Sequence, residues 1–221
     1  EGNDELYGDG GDDTLSAGAG SDLLKGGEGD DILYGGDTGG NLFGEGGDDQ
    51  LYASSNIANP WINTNLNGGE GNDVLTGGAG QDYLSGENGD DTLSGGDGDD
   101  YLADIGTMGM NFIDGGKGND RINVFSYMTD GLQASNTVIG GEGNDYINMN
   151  SSVSGSSGHS GYFYGNEGDD YILGNGVLDG GVGNDNLSGY DNADTYIFGR
   201  DYGVDTVTDR PLYTLNDGTT Q

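Results

Sequence analysis

A nine-residue period runs through most of the chain and limits the available folds more than any other feature of the sequence. Aspartates fall at Asp4, Asp13, Asp22 and Asp31, and surrounding glycines keep the same spacing. The period resumes at Asp49, Asp73, Asp82, Asp91 and Asp100 and, after interruptions, at Asp120, Asp145, Asp170, Asp185 and Asp194. A short fixed period is typical of solenoids, in which each repeat stacks on its neighbours.

One repeat unit predicts one turn followed by one strand. Well-preserved units read GGEGDDILY from Gly26, GGEGNDVLT from Gly68 and GGEGNDYIN from Gly140. Looser copies begin at Gly8, Gly44, Gly86, Gly165 and Gly189. The glycines allow a tight turn whose carbonyls can point inward at a cation. The three residues after the aspartate predict a short strand with its middle aliphatic side chain in the core.

The inward position of the units continues even where the aspartate period fails. It is occupied by Leu6, Leu15, Leu24, Leu33, Leu42, Leu51, Leu66, Leu75, Leu84, Leu93, Leu102, Ile113, Ile122, Val138, Ile147, Phe163, Ile172, Leu178, Leu187 and Tyr196. We therefore expect one continuous solenoid of about twenty strands in about ten coils. The interruptions, near residues 53–64, 104–110, 124–136 and 149–160, are predicted to be loops inserted into its turns.

The charge of the chain indicates that cations belong to its structure. Forty acidic residues face five basic ones, for a formal net charge of −35, which a compact fold holds only against strong self-repulsion. This composition alone would favour disorder, but the period argues against it. The sequence shows no basic patch for direct contact with nucleic acid or an anionic membrane. It has no cysteine and no apolar run long enough to span a bilayer.

The units follow the pattern GGxGxDxUx, and the chain resembles the repeats-in-toxin (RTX) family of secreted proteins over roughly residues 1–197. The resemblance implies an all-β fold, a right-handed parallel β-roll with inserted loops. It also implies Ca²⁺ ions between successive turns on the same edge of the roll. Calcium prefers six to eight carboxylate and carbonyl oxygens, which such turns supply.

The resemblance assigns the motif aspartates as metal ligands, and counting turns divides them between two edges. One edge carries Asp13, Asp31, Asp49, Asp73 and Asp91; the other carries Asp4, Asp22, Asp82, Asp100, Asp120, Asp145, Asp170 and Asp185. Asp194 belongs to a divergent unit, and Gly40 replaces a motif aspartate. Pairing neighbours predicts about ten Ca²⁺ ions, with metal absent from the first edge after Asp91.

Three of the four inserted loops should share the edge that begins with Asp13. They bring together the apolar residues Met108, Met110, Phe125, Tyr127, Met128, Leu132 and Met149, together with His159. These side chains could form an interaction surface, or fold back and cover coils that lack calcium. Trp61, in the first loop on the opposite edge, could contact a partner or anchor its own loop.

No catalytic cluster is evident, and we expect the chain not to be an enzyme. The stretch 151–160 contains the only histidine beside several serines, but no orienting acid or nucleophile elbow accompanies them. Paired carboxylates such as Asp30 and Asp31 would suit glycoside hydrolysis. In the register of the repeat, however, one is the motif ligand and the other a turn residue.

The last part of the chain, residues 198–221, is predicted to cap the solenoid. A terminal coil exposes its strand edge and core, and Phe198, Tyr202, Val204 and Val207 could cover both. The segment also resembles the C-terminal flank of RTX blocks, which the family uses to start calcium-dependent folding.

The resemblance implies a calcium-binding module of a larger secreted bacterial protein, located outside the cell or on its surface. Such proteins use the type I secretion machinery, cross it unfolded, and fold on Ca²⁺ outside. An alternative is an adhesive module whose inserted loops bind a host protein, a glycan or a surface. The parent could be a toxin, an adhesin, an enzyme or a surface-layer protein, because the repeat serves all of these.

Overall fold

The structure is a computed structural model, and it describes residues 2–53, 62–106, 109–126, 135–150, 161–190, 193–199 and 202–209. Every regular element in these ranges is a β-strand. In chain order the strands are β1 (Glu5–Gly10), β2 (Thr14–Ser16), β3 (Asp22–Glu28), β4 (Ile32–Tyr34), β5 (Gly40–Gly46), β6 (Gln50–Tyr52), β7 (Thr64–Glu70), β8 (Val74–Ala79), β9 (Tyr83–Asn88), β10 (Thr92–Asp97), β11 (Tyr101–Gly106), β12 (Phe112–Lys117), β13 (Arg121–Ser126), β14 (Thr137–Glu142), β15 (Tyr146–Asn150), β16 (Gly161–Glu167), β17 (Tyr171–Leu173), β18 (Gly176–Val182), β19 (Asn186–Gly189), β20 (Thr195–Ile197) and β21 (Thr206–Asp209).

The strands alternate between two parallel sheets, which confirms the predicted β-roll. The odd-numbered strands form an eleven-stranded sheet and the even-numbered strands a ten-stranded sheet, both in chain order. Each coil contributes one strand to each sheet, and equivalent residues of successive coils pair in register, as Leu24 does with Leu42 and Leu42 with Leu66. No helix in the described part of the chain is long and apolar enough to cross a membrane.

The core is a ladder of apolar side chains, and each strand from β1 to β20 contributes one of them at the same position. The predicted inward residues from Leu24 to Leu187 are all fully buried and form one cluster, and Leu6, Leu15 and Tyr196 pack against it at the two ends. Val124 and Met149 add a second inward position in β13 and β15, because these strands run on past their ladder residues. The core is therefore narrow, so each coil depends on its two neighbours.

The turns require backbone conformations that favour glycine. In the unit from Gly26, Gly27 and Gly29 have φ values of 118° and 126°, and a carbonyl of the preceding coil lies close to each. The looser units keep the turn although the second glycine is replaced. Their substitutes Asp9, Glu45, Glu87 and Asn166 adopt φ values between 68° and 79°, a region that costs non-glycine residues about 1–2 kcal/mol.

The strands that flank the four insertions place these connections on the edges expected from counting turns. The first connects β6 to β7, and the other three connect an odd strand to the next even strand, as does the short turn between β17 and β18. Met149 is buried in the core cluster, whereas Met110 is 61% exposed, so the expected patch is divided where the structure describes it. Trp61, Met108, Tyr127, Met128, Leu132 and His159 lie outside the described residues.

Within residues 202–209, the C-terminal segment adds one strand to the roll. β21 pairs in parallel with β19, with Leu187 opposite Val207. The side chains of Phe198, Val204 and Val207 are exposed and that of Tyr202 is half-buried, while residues 210–221 of the predicted cap lie outside the described residues.

Candidate metal centres

The motif aspartates stand at the entrance to the strands and form two rows, one along each edge of the roll. We call the turns that lead into the even strands edge 1 and the turns that lead into the odd strands edge 2. Edge 1 carries Asp13, Asp31, Asp49, Asp73, Asp91 and Asp194; edge 2 carries Asp4, Asp22, Asp82, Asp100, Asp120, Asp145, Asp170 and Asp185. The division by edge agrees with the expectation from the sequence.

Within each row, every motif aspartate after the first accepts a hydrogen bond from the residue at the same position of the preceding coil. The Oδ1 atom of Asp31 accepts a hydrogen bond from the backbone N–H of Asp13 at 2.7 Å, and Asp49 Oδ1 accepts from Asp31 at 2.8 Å. The same bond recurs along edge 2, where Asp100 accepts from Asp82 and Asp120 from Asp100, each at 2.8 Å. This inner ladder holds each carboxylate at a fixed height between two coils.

The second carboxylate oxygen points into the turn without a partner. The Oδ2 atoms of Asp22, Asp31, Asp49, Asp73, Asp91, Asp100, Asp120, Asp145, Asp170, Asp185 and Asp194 are buried and accept no hydrogen bond. A buried carboxylate costs several kcal/mol unless it is paired or bound to a metal. The row of buried carboxylate oxygens along each edge therefore favours the binding of cations beside them.

The first glycine of each unit makes room for this oxygen. A Cβ atom built on Gly44 would contact Asp49 Oδ2 and lie 2.6 Å from the carbonyl oxygen of Gly68 in the next coil. At Gly140 the corresponding neighbours are Asp145 Oδ2 and, at 2.9 Å, the carbonyl oxygen of Gly165. Carboxylate and carbonyl oxygens of two coils thus converge at the first glycine, which is the donor set that Ca²⁺ takes.

Burial raises the pKa values of these aspartates. It raises the pKa of Asp145 to about 8 and those of Asp73, Asp100 and Asp170 to about 7. The inner-ladder hydrogen bonds lower these pKa values by less than burial raises them, and neighbouring carboxylates raise them further. Without a cation, the rows therefore resist full ionisation near neutral pH.

The residue before each motif aspartate has a different task. Asp30 is exposed, and its Oδ1 accepts from the backbone N–H of Asp48 in the following coil at 2.9 Å. Asp99 does the same for Asn119 at 2.8 Å. This outer ladder points opposite to the inner one, so the carboxylates beside the motif aspartates take part in the turns.

The structure places four residues at motif positions that the aspartate period did not identify: Thr64 and Asp205 on edge 2, and Asn111 and Asn136 on edge 1. Asp91 donates its backbone N–H to Asn111 Oδ1 at 2.7 Å, and Asn111 donates to Asn136 Oδ1 at 2.9 Å. Asp185 donates to Asp205 Oδ1 at 3.2 Å. The signal was present in the sequence, because each lies two residues before an inward or ladder-paired aliphatic residue: Leu66, Val207, Ile113 and Val138.

Each row has one interruption. On edge 2, Gly40 has no side chain, and Thr64 donates its backbone N–H to Asp82 without offering a carboxylate. On edge 1, Asn111 and Asn136 continue the ladder without charge, and Asp194 resumes it by accepting a hydrogen bond from the backbone N–H of Gly176 at 2.7 Å.

Within the described ranges, no three acidic or histidine side chains surround a common point. Any metal here would draw on two carboxylates and on turn carbonyls.

Comparison with known proteins agrees with this geometry. The family model of the RTX calcium-binding nonapeptide repeat (4 copies) matches residues 1–24, 7–38, 26–56, 65–102, 105–124, 130–148, 162–177 and 173–204, which together make up well over half of the chain. A search of curated proteins found no significant match.

Proposed function

Because the chain belongs to the RTX calcium-binding nonapeptide repeat family, we propose that it is a folding module of a larger secreted bacterial protein. Calcium ions bind between successive coils, held by the paired motif aspartates of each edge and by turn carbonyls. The observation that carries the proposal is the row of buried Oδ2 atoms without partners, facing the carbonyl oxygens of the next coil.

Bound calcium would supply positive charge beside the buried Oδ2 atoms, which accept no hydrogen bond. The aspartates pair with their neighbours in about ten places, which sets the expected number of ions near ten. Each ion would offset the repulsion between two carboxylates that the inner ladder holds at adjacent heights. Metal binding and folding are therefore coupled, because the oxygens converge only when the coils are stacked.

The charge also supports export before folding. A chain of net charge −35 with a core of one side chain per strand stays expanded when calcium is scarce. This state suits passage through a type I secretion machine, and extracellular calcium at millimolar levels then drives folding. Residues 198–221 would serve as the C-terminal flank of the module.

The experiment is a calcium titration of this chain followed by far-UV circular dichroism. The spectrum should change from disordered to β-rich as calcium reaches millimolar levels, and magnesium should not replace it, because magnesium demands a rigid octahedral shell of closer ligands. A chain that is fully folded in chelator and indifferent to calcium would refute the proposal.

A second candidate function, a ligand-binding module, is favoured by one groove on edge 2. The groove, about 560 Å³ in volume, lies where Gly40 interrupts the row, and the last residues of the first insertion line it. Its walls include the stacked rings of Tyr83 and Tyr101, 5.0 Å apart and 5° from parallel. Its polar side chains include those of Asn41, Asn63, Asn65, Gln81 and Asp99.

An aromatic platform beside carboxamides suits a sugar ring, which presents an apolar face and hydroxyl groups. The negative charge of the chain favours a neutral glycan. Calorimetry with a panel of neutral oligosaccharides should detect binding that Tyr83→Ala abolishes. Tyr34→Ala should leave it intact, because Tyr34 stacks on Tyr52 with similar geometry outside the groove. Equal loss in both variants, or no binding, would refute this function.

A further inference from the structure

Asp104 occupies a place that the repeat reserves for its first glycine. In the pairing of β9 with β11, Leu102 lies opposite Leu84 and Ala103 opposite Ser85, so Asp104 takes the place of Gly86. Its side chain is 2% exposed, whereas the next residue, Ile105, faces solvent. A carboxylate is therefore buried inside the roll at a position where the regular coils carry no side chain.

The motif residue of the same turn compensates for this change. A Cβ atom on Gly86 would contact the carboxylate of Asp91, whereas the turn after β11 carries Asn111 in place of the motif aspartate. The Asn111 Nδ2 atom donates a hydrogen bond to Asp104 Oδ2 at 2.5 Å. The negative charge of this coil has thus moved from the sixth position of the unit to the first.

The exchange preserves the number of free carboxylate oxygens. Asp104 Oδ1 and Asp91 Oδ2 are both buried and accept no hydrogen bond. A regular pair of coils offers the same inventory, with one free oxygen from each of two aspartates. Asn111 joins the two groups, because its Oδ1 accepts the backbone N–H of Asp91 while its Nδ2 binds Asp104.

The next coils remove the possibility of a further site of this kind. Val124 pairs with Asp104 in the register, and Met149 pairs with Val124, so the position becomes apolar in β13 and β15. Burial, reinforced by the charge of Asp91, raises the pKa of Asp104 to about 7, as expected for two confined carboxylates without a counterion.

We propose that Asp91 and Asp104 bind an additional Ca²⁺ ion. Asp91 is the last motif aspartate on edge 1 before the interruption, and Asp104 belongs to the next coil. The proposal rests on the proposed function, since it extends the calcium row with a different donor arrangement. The row on this edge then ends at Asp104 and not at Asp91. The ion would tie the first irregular coil to the regular ones.

The test is the number of ions bound at saturation, measured by native mass spectrometry and equilibrium dialysis with calcium. Asp104→Asn should bind one ion fewer than the wild type and keep the β-rich spectrum. Asp97→Asn, which neutralises an exposed carboxylate, should keep the wild-type number. An unchanged number in folded Asp104→Asn would overturn the proposal and leave Asp104 as a hydrogen-bond partner of Asn111.

A double variant covers the case in which Asp104→Asn does not fold. Asp104→Gly with Asn111→Asp restores the regular arrangement of glycine and aspartate. If the wild type already has the site at Asp91 and Asp104, the double variant should bind the same number of ions as the wild type. If the double variant binds one ion more, the wild type lacks this site and the proposal is overturned. Failure of the wild type to bind any calcium would instead refute the proposed function.

Discussion

The carboxylate of Asp170 accepts a hydrogen bond from the backbone N–H of Asp145 at 2.8 Å, and the second oxygen of each of these aspartates remains buried without a partner. Burial and the nearby like charge raise the pKa of Asp145 to about 8 and that of Asp170 to about 7. The pair therefore binds protons more tightly in the folded chain than in the unfolded one.

This relationship predicts that the calcium-free roll is more stable in mild acid than at alkaline pH. A raised folded pKa means that the folded state holds more protons, so stability falls as the pH rises from the ordinary aspartate value of about 4 towards 8. In chelator, far-UV circular dichroism should show more β-structure at pH 5.5 than at pH 8.5. Asp145→Asn should weaken this dependence and the exposed change Asp97→Asn should not. A calcium-free chain that becomes more folded as the pH rises would contradict the prediction.

Asp120→Asn should reduce the calcium content by about two ions, because Asp120 is bonded to a motif aspartate in the coil on each side: its Oδ1 accepts from Asp100, and its backbone N–H donates to Asp145. The calcium concentration at the folding midpoint should rise several-fold. Asp99→Asn is the matched control. The asparagine keeps the Oδ1 atom that accepts the hydrogen bond from the backbone N–H of Asn119, and other units have asparagine at this position. Calcium dialysis and a titration monitored by circular dichroism measure both effects, and equal behaviour of the two variants would argue against the assigned roles.

Gly68→Ala should destabilise the calcium-bound roll by about 1–3 kcal/mol or more, because the added Cβ meets a buried side chain that cannot move. It would contact Asp73 Oδ2 and lie 2.7 Å from Asp73 Cγ. Gly46→Ala, in the preceding turn of the same edge, has its nearest neighbour at 3.6 Å, the end of the Glu28 side chain. Denaturant unfolding in saturating calcium should separate the two variants, and a tolerated Gly68→Ala would show that the carboxylate is not confined.

Phe163→Ala should cost about 3–5 kcal/mol, since its fully buried ring fills space beside Gly161 and Gly174 that other coils fill with aliphatic side chains. Tyr162→Ala removes an aromatic ring of similar size from the outer face, where 47% of the side chain is exposed, and should cost less than about 1 kcal/mol. The same unfolding measurement compares them. Similar losses would mean that the ladder contributes less to stability than its burial indicates.

The sequence predicted the two-edged roll and the core ladder because both follow from a strict period. A strand whose inward side chain recurs every nine residues has one register. The residues that carry this register across the four insertions are Leu66, Ile113, Val138 and Phe163. The period does not reveal Thr64, Asn111 and Asn136 because they replace the motif aspartate, nor Asp205 because its unit keeps only one of the three motif glycines.

The part that sequence could not supply is the direction of each side chain within the turn. The motif alone allows both carboxylate oxygens to face the metal. The structure shows that Oδ1 instead accepts a hydrogen bond from the backbone N–H of the preceding coil. The sequence predicts Asp104 to lie in an inserted loop, because a carboxylate in a strand interior breaks the pattern of the repeat. In the structure Asp104 belongs to β11. Its role depends on Asn111, seven residues away, and no local rule links the two.

The interruptions of the two rows fall at different heights. Where edge 2 carries Gly40 and Thr64, edge 1 carries Asp31, Asp49 and Asp73; where edge 1 carries Asn136, edge 2 carries Asp120 and Asp145. Each interrupted stretch thus keeps its motif aspartates on one edge, while the other edge keeps only uncharged residues at the motif position. With calcium bound, we therefore expect the roll to bend more easily at these two heights than elsewhere, and at neither height are both rows of carboxylates interrupted together.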